Sequence, residues 1–181
     1  MLAVVLMFAL IASLVAPALH LGGGRAAQRE AEAIAGSLEF ARQRAVMTGR
    51  AHRLVVDLDR ASYWVEWVPP PEAGGSAPPG ANGGSSARKI AMKPPEAAEL
   101  RFEPVPAGEF GREHAMDAAT RVLEVRLPGN AIDRGVVVLG LTPDGAADPA
   151  LIRVGSPEGE SLFDVRVEAL ADAALVTDAK R

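Results

Sequence analysis

Hydrophobic and polar positions follow three different patterns along this chain. From Met1 to Leu19 there is no charged residue, and the first full charge is carried by Arg25. At about 1.5 Å of rise per residue, such a run forms a helix roughly 28 Å long, close to the ~30 Å hydrocarbon core of a bilayer. It predicts a retained membrane anchor. A cleaved secretory signal is one alternative, with Ala16 and Ala18 as a candidate cleavage site, but no basic residue precedes the apolar core. A buried core helix is the other. Pro17 removes one helical hydrogen bond and is expected to kink the helix, and Gly22 to Gly24 form an expected soft joint.

Beyond the glycines, Ala27, Ala31, Ile34, Leu38, Ala41 and Ala45 recur at spacings of four and three, while Arg29, Glu32, Glu39 and Arg42 fall elsewhere on the wheel. This predicts an amphipathic helix with a narrow, alanine-rich stripe suited to lying close against a sheet. Gly49 after Thr48 is its expected stop.

A strand pattern then takes over. The runs "HRLVVDLD" and "SYWVEWV" read as a hairpin turning at Arg60 and Ala61. Tyr63, Val65 and Trp67 share a face, which is expected to pack on the amphipathic helix and not to stack sugars or bases. Further strands are expected over 121–127, 135–141, 150–154 and 162–168, with "TPDG" and "SPEGES" as turns. Between Pro69 and Ala87, thirteen of nineteen residues are Pro, Gly or Ser, a composition expected to form a disordered loop insertion. The fold class expected is α+β: one long N-terminal helix, transmembrane in its first half and amphipathic in its second, packed on a meandering antiparallel sheet. Its divisions are 1–24 for the membrane helix and glycine joint, 25–49 for the amphipathic helix, and 50–181 for the sheet domain with its 69–87 loop.

Length and charge refine this picture. A chain of 181 residues accommodates one modest domain and an appendage. Between Arg25 and Arg53, six Arg face three Glu, a net of +3; from Ala61 to Arg181, twelve basic residues face eighteen acidic ones, a net of −6. An acidic domain repels phosphate backbones, so no nucleic-acid partner is expected. Taken alone, the basic helix after the apolar run would place the distal domain in the cytoplasm.

Candidate chemistry is sparse. The chain has no cysteine, hence no disulfide, thiolate nucleophile or cysteine-based zinc site. His20, His52 and His114 show no HxxxH or HExxH spacing, and His114, near Glu113 and Asp117, reads as loop surface in preference to a metal site. No GxSxG is present, and Gly22 to Gly24 lack the Lys-Ser/Thr of a phosphate loop. Asp144 and Asp148 fall short of the ligand set calcium takes, which favours a plain turn. No catalytic, cofactor-binding or metal residue is assigned, and no enzyme activity is expected.

Three stretches carry a family resemblance: the apolar segment with its late proline, "LEFARQRAVMTGRAHRLVVDLDRASYWVE", and "LTPDGAADPALIRV". Together they resemble the H-type minor pseudopilins of bacterial type II secretion, a family shared with minor type IV pilins. Ala41-Arg42, Gly49-Arg50 and Arg53-Leu54 to Asp57 sit where the family has its "AR…GR…RLVFD" stretch, marking the helix-to-sheet junction. The resemblance implies a pilin-like fold in which Met1, Leu2, Val5, Leu6, Phe8, Leu10, Leu14 and Pro17 serve anchoring and filament assembly. It also implies a single-pass inner-membrane location with the C-terminal domain in the periplasm. The implied partners are other major and minor pseudopilins, an inner-membrane assembly platform and membrane lipid. In the family, a basic leader and a cleavage junction after Gly precede a short segment ending in Glu. Counting back from Pro17 by the family's spacing places that Glu immediately before Met1, so Met1 is expected to be an internal methionine. The leader's basic charge would resolve the orientation conflict. A minor type IV pilin for pilus assembly or DNA uptake, and an unrelated membrane-anchored periplasmic binding module, remain the alternatives.

Overall fold

Small residues at helical spacing let a helix approach a sheet closely, and this chain uses that device throughout its amphipathic segment. A computed structural model describes the backbone of residues 2–70, 100–106, 108–159, 161–170 and 173–179, and side chains from residue 24 onward. Helix α1 spans Leu2–Thr48. On its inner face Ala27, Ala31, Ile34, Ala41 and Ala45 are fully buried, with Leu38 nearly so. The helix runs without interruption through Gly22 to Gly24, so the expected joint does not break it. Gly24 has a different use: a β-carbon there would stand 3.2 Å from the Ser161 hydroxyl, so the bare backbone lets the helix pass a sheet turn.

Met1 lies outside the described residues, as do the side chains of Leu2, Val5, Leu6, Phe8, Leu10, Leu14 and Pro17, and positions 71–87 of the expected loop insertion. Among the described residues no helix is long and apolar enough to cross a membrane. The apolar run over 1–19 falls before the first described side chain.

Among the described residues ten strands follow: β1 (His52–Asp57), β2 (Ser62–Trp67), β3 (Glu103–Pro104), β4 (His114–Ala115), β5 (Arg121–Leu127), β6 (Asn130–Ile132), β7 (Val136–Leu141), β8 (Ala150–Gly155), β9 (Leu162–Val167) and β10 (Leu175–Asp178). They form two antiparallel sheets. The first has the order β3-β2-β1-β7, with β4 also on β2; the second has the order β10-β9-β8-β5-β6. The single meander expected from sequence is therefore divided, because the chain leaves the second sheet after β6 and returns to the first as β7. Alternation along a strand fixes which face is buried and carries no information on which strand lies beside it. His114, expected on a loop, pairs with Tyr63 as part of β4.

Both sheets meet the helix, which packs on β1, β2 and β7 of the first and on β8, β9 and β10 of the second. The core between them is aliphatic, built from Leu54, Val56, Val65, Leu139, Ile152, Val154 and Val165 around Ile34 and Leu38. Tyr63, Val65 and Trp67 pack into or against it, as their shared face predicts.

A second close approach secures the segment after β3. The Val65 amide donates to the Phe110 carbonyl at 2.9 Å and the Val105 amide donates to the Val65 carbonyl at 3.1 Å. At Gly111 a β-carbon would lie 1.7 Å from the Val105 carbonyl oxygen, so any side chain must push backbone apart. Gly111→Ala is expected to lose about 2 kcal/mol or more through overpacking, whereas Gly36→Ala gains about 0.5–1 kcal/mol by restoring helix propensity. Gly36 has open space at that position. Urea denaturation of the two variants checks the opposite signs.

Candidate functional site

The turn from helix to sheet is built by backbone chemistry first. Gly49 adopts φ 63°, a left-handed conformation that glycine takes without steric penalty. The Arg50 amide then donates to the Ala45 carbonyl at 3.2 Å, closing the helix with a Schellman motif. Arg50 extends its guanidinium to the Pro69 carbonyl at 2.9 Å, tying the start of β1 to the end of β2. Three residues further on, Arg53 pairs with Glu66 across the hairpin at 2.6 Å. The same carboxylate accepts the Trp64 indole N–H at 2.9 Å, and the Arg53 guanidinium sits 4.1 Å from the centre of the Phe102 ring. This is a pinned ion pair with a cation–π contact, and it fastens the strand that enters the sheet to the one that returns after residue 99.

The remaining junction residues have separate places. Ala41 and Leu54 are fully buried in the core. Asp57 closes the far end of the hairpin, where one carboxylate oxygen accepts the amides of Asp59 and Arg60 at 3.0 Å each. Arg42 turns toward the second sheet and donates to the Glu168 carbonyl at 3.4 Å; its Nε and Nη1 are enclosed without a hydrogen-bond partner among the described residues. Glu39, Arg42, Val46, Met47, Asp144 and Leu170 line a groove of about 520 Å3 beside it. The structure thus brings Arg50 and Arg53 together at one end of β1 and leaves Arg42 and Asp57 elsewhere. Glu66, Trp64 and Phe102 escaped the sequence reading. The hairpin register would have found Glu66, because it stands directly opposite Arg53.

Titratable groups elsewhere are held by their own surroundings. Nε2 of His114 lies 3.3 Å from the Glu30 carboxylate, and its ring packs on Tyr63 with centroids 4.9 Å apart. Burial raises the Tyr63 phenol pKa, the Glu30 charge adds to this, and a hydrogen bond with Ser37 opposes it. Asp144 accepts the Thr142 hydroxyl and the Ala146 amide, which together lower its pKa, and Asp148 accepts the Gly140 amide at 2.7 Å. Both carboxylates serve the turn that contains them.

This architecture was compared with known proteins. No protein-family model matches the chain, and no curated protein does. Solved structures do. One of the minor pseudopilin EpsH from the type II secretion system of Vibrio cholerae aligns with a TM-score of 0.59 at 9% identity, over 87% of this chain and 97% of that one. A second structure of EpsH aligns with a TM-score of 0.53 at 10% identity, over 84% and 95%. The chain shares the pilin-like α+β fold of EpsH. Within that fold the junction is the passage from the helix to the first sheet.

His52 opens β1, 1% exposed, with Nδ1 at 3.0 Å from the Arg50 carbonyl and Nε2 without a hydrogen-bond partner among the described residues. Burial lowers its pKa below 6.5; the Arg50 carbonyl opposes this and the nearby Arg44 charge assists it. The folded state therefore prefers the neutral ring, while the unfolded chain takes up the proton. The stability this provides is complete above about pH 6.5 and is lost as pH falls toward the lowered folded value. Urea denaturation at about pH 7.5 and pH 5.5 should show a larger acid loss for the native chain than for His52→Gln, the difference being the histidine's share.

Proposed function

We propose that this chain is a minor pseudopilin, a structural subunit of a type II secretion pseudopilus that assists export of folded proteins across the outer membrane. The likeness to EpsH over nearly the full length of both chains carries this reading. The apolar run over 1–19 supports an anchor in the inner membrane, continuous along α1 with the folded domain. In this account the anchor waits in the bilayer, an assembly platform draws it into a bundle with the helices of other pseudopilins, and the domain is displayed in the periplasm. The chain's role is mechanical, without a reaction of its own.

The geometry suits such a role. A helix pulled at its N-terminus transmits force to the domain through its buried stripe and through the pinned junction at Arg50 and Arg53. The distal net charge of −6 supports protein partners over nucleic acid.

Solubilising membranes of the source cells and capturing the tagged full chain tests the proposal. Other pseudopilins are expected to co-purify, and deleting the gene is expected to leave exoproteins in the periplasm. Recovery of pilus subunits together with salt-sensitive DNA binding would instead favour a DNA-uptake pilin.

A further inference from the structure

Strand β7 forms the outer edge of the first sheet. Its odd-numbered end faces inward, since the Gly135 carbonyl accepts the Leu58 amide. Gly140 faces outward: its carbonyl accepts the Asp148 amide at 2.9 Å and its own amide donates to the Asp148 carboxylate. Residues of one parity share a direction in an antiparallel ladder, so the amides and carbonyls of Val136 and Val138 also point away from β1. Among the described residues they have no hydrogen-bond partner. Their side chains are exposed at 57% and 41% on the outer face. Natural edges are usually blunted by charge, proline, a bulge or extreme shortness. None of these interrupts the sequence from Val136 to Leu139.

We propose that this edge pairs with the same edge of a second copy of the chain. Antiparallel pairing about a two-fold axis at Val137 sets Val136 opposite Val138 of the second copy, and the reverse. Each such pair exchanges two backbone bonds, about four in all, and the exposed valines become cross-strand neighbours. Of the nearby registers, this one uses both free residues and stops short of Gly140, whose edge Asp148 already occupies. It also has complementary charge at its ends. Arg134, 84% exposed, pairs with the exposed Asp133 at 3.3 Å and has guanidinium nitrogens to spare; across the axis it reaches the second copy where Asp148 closes the edge, so a guanidinium meets a carboxylate on each side. A single strand pair buries less than the roughly 1,200 Å2 of a stable interface. The pairing is therefore weak in dilute solution and favoured where chains are concentrated in one membrane. It stands independently of the role in secretion.

The absence of native cysteine makes the register directly readable. Full-length Val136→Cys and Val138→Cys chains are purified in mild detergent, checked by circular dichroism, brought to high protein concentration so that weak pairing is populated, and treated with a short thiol cross-linker singly and as a mixture. The mixture should form cross-linked dimer roughly tenfold faster than either variant alone, because only the mixture places two thiols directly opposite. Adding Arg134→Glu to both chains should slow this several-fold, and Arg134→Lys should leave it intact. Folded chains that fail to cross-link, that cross-link equally alone and mixed, or that in cells are captured by a different polypeptide in place of the second copy would overturn the self-pairing.

Discussion

A helix whose inner face is mostly alanine can come closer to a sheet than one faced with leucine, and here one such helix serves two sheets at once. Ala27, Ala31, Ala41 and Ala45 bring the backbone of α1 inward, while Ile34 and Leu38 fill the wider space midway along the stripe. The sheets supply the volume with Leu54, Val56 and Val65 on one side and Ile152, Val154 and Val165 on the other. A larger residue at any of the alanines would overpack the layer it faces, at a cost of about 1–3 kcal/mol even in adaptable cores. The amphipathic part of α1 is thus an integral layer of the domain.

The junction follows from that constraint. A helix held this close must reverse sharply to enter the first sheet, and the left-handed Gly49 with the Schellman bond from Arg50 provides the reversal. Arg53, Glu66, Trp64 and Phe102 then lock the entering strand to its neighbours. Arg42 departs from this economy. It is buried, yet its hydrogen-bond contact among the described residues is a carbonyl at 3.4 Å, whereas Arg53 and Arg153 both have carboxylates.

Much of this was legible in the residues because the decisive signals are local. The stripe from Ala27 to Ala45 shows in its spacing, and β1, β2, β5, β7, β8 and β9 show in their runs of branched and aromatic residues. Strands β3, β4, β6 and β10 did not, since "EP", "HA", "NAI" and "LVTD" are too short to hold a period, and pairing with a neighbour makes them strands. The division into two sheets is a long-range choice made where the chain crosses from Ile132 to Val136. At the junction, the glycine stop and the basic residues could be read. Glu66 follows from the hairpin register, but the distant partners do not, because Phe102 is 49 positions from Arg53 and Glu168 is 126 from Arg42. The three glycines before Arg25 suggested a joint by composition, whereas the contact that gives Gly24 its use lies in a turn more than a hundred residues away.

Native-state hydrogen exchange measures the shared layer most directly. If one helix face holds both sheets, the amides of α1 from Ala31 to Ala45 open together with those of β1 and of β8 and β9, at a single free energy equal to that of global unfolding. Exchange of the helix or of either sheet at a free energy lower by about 2 kcal/mol or more, with the rest still protected, would contradict it.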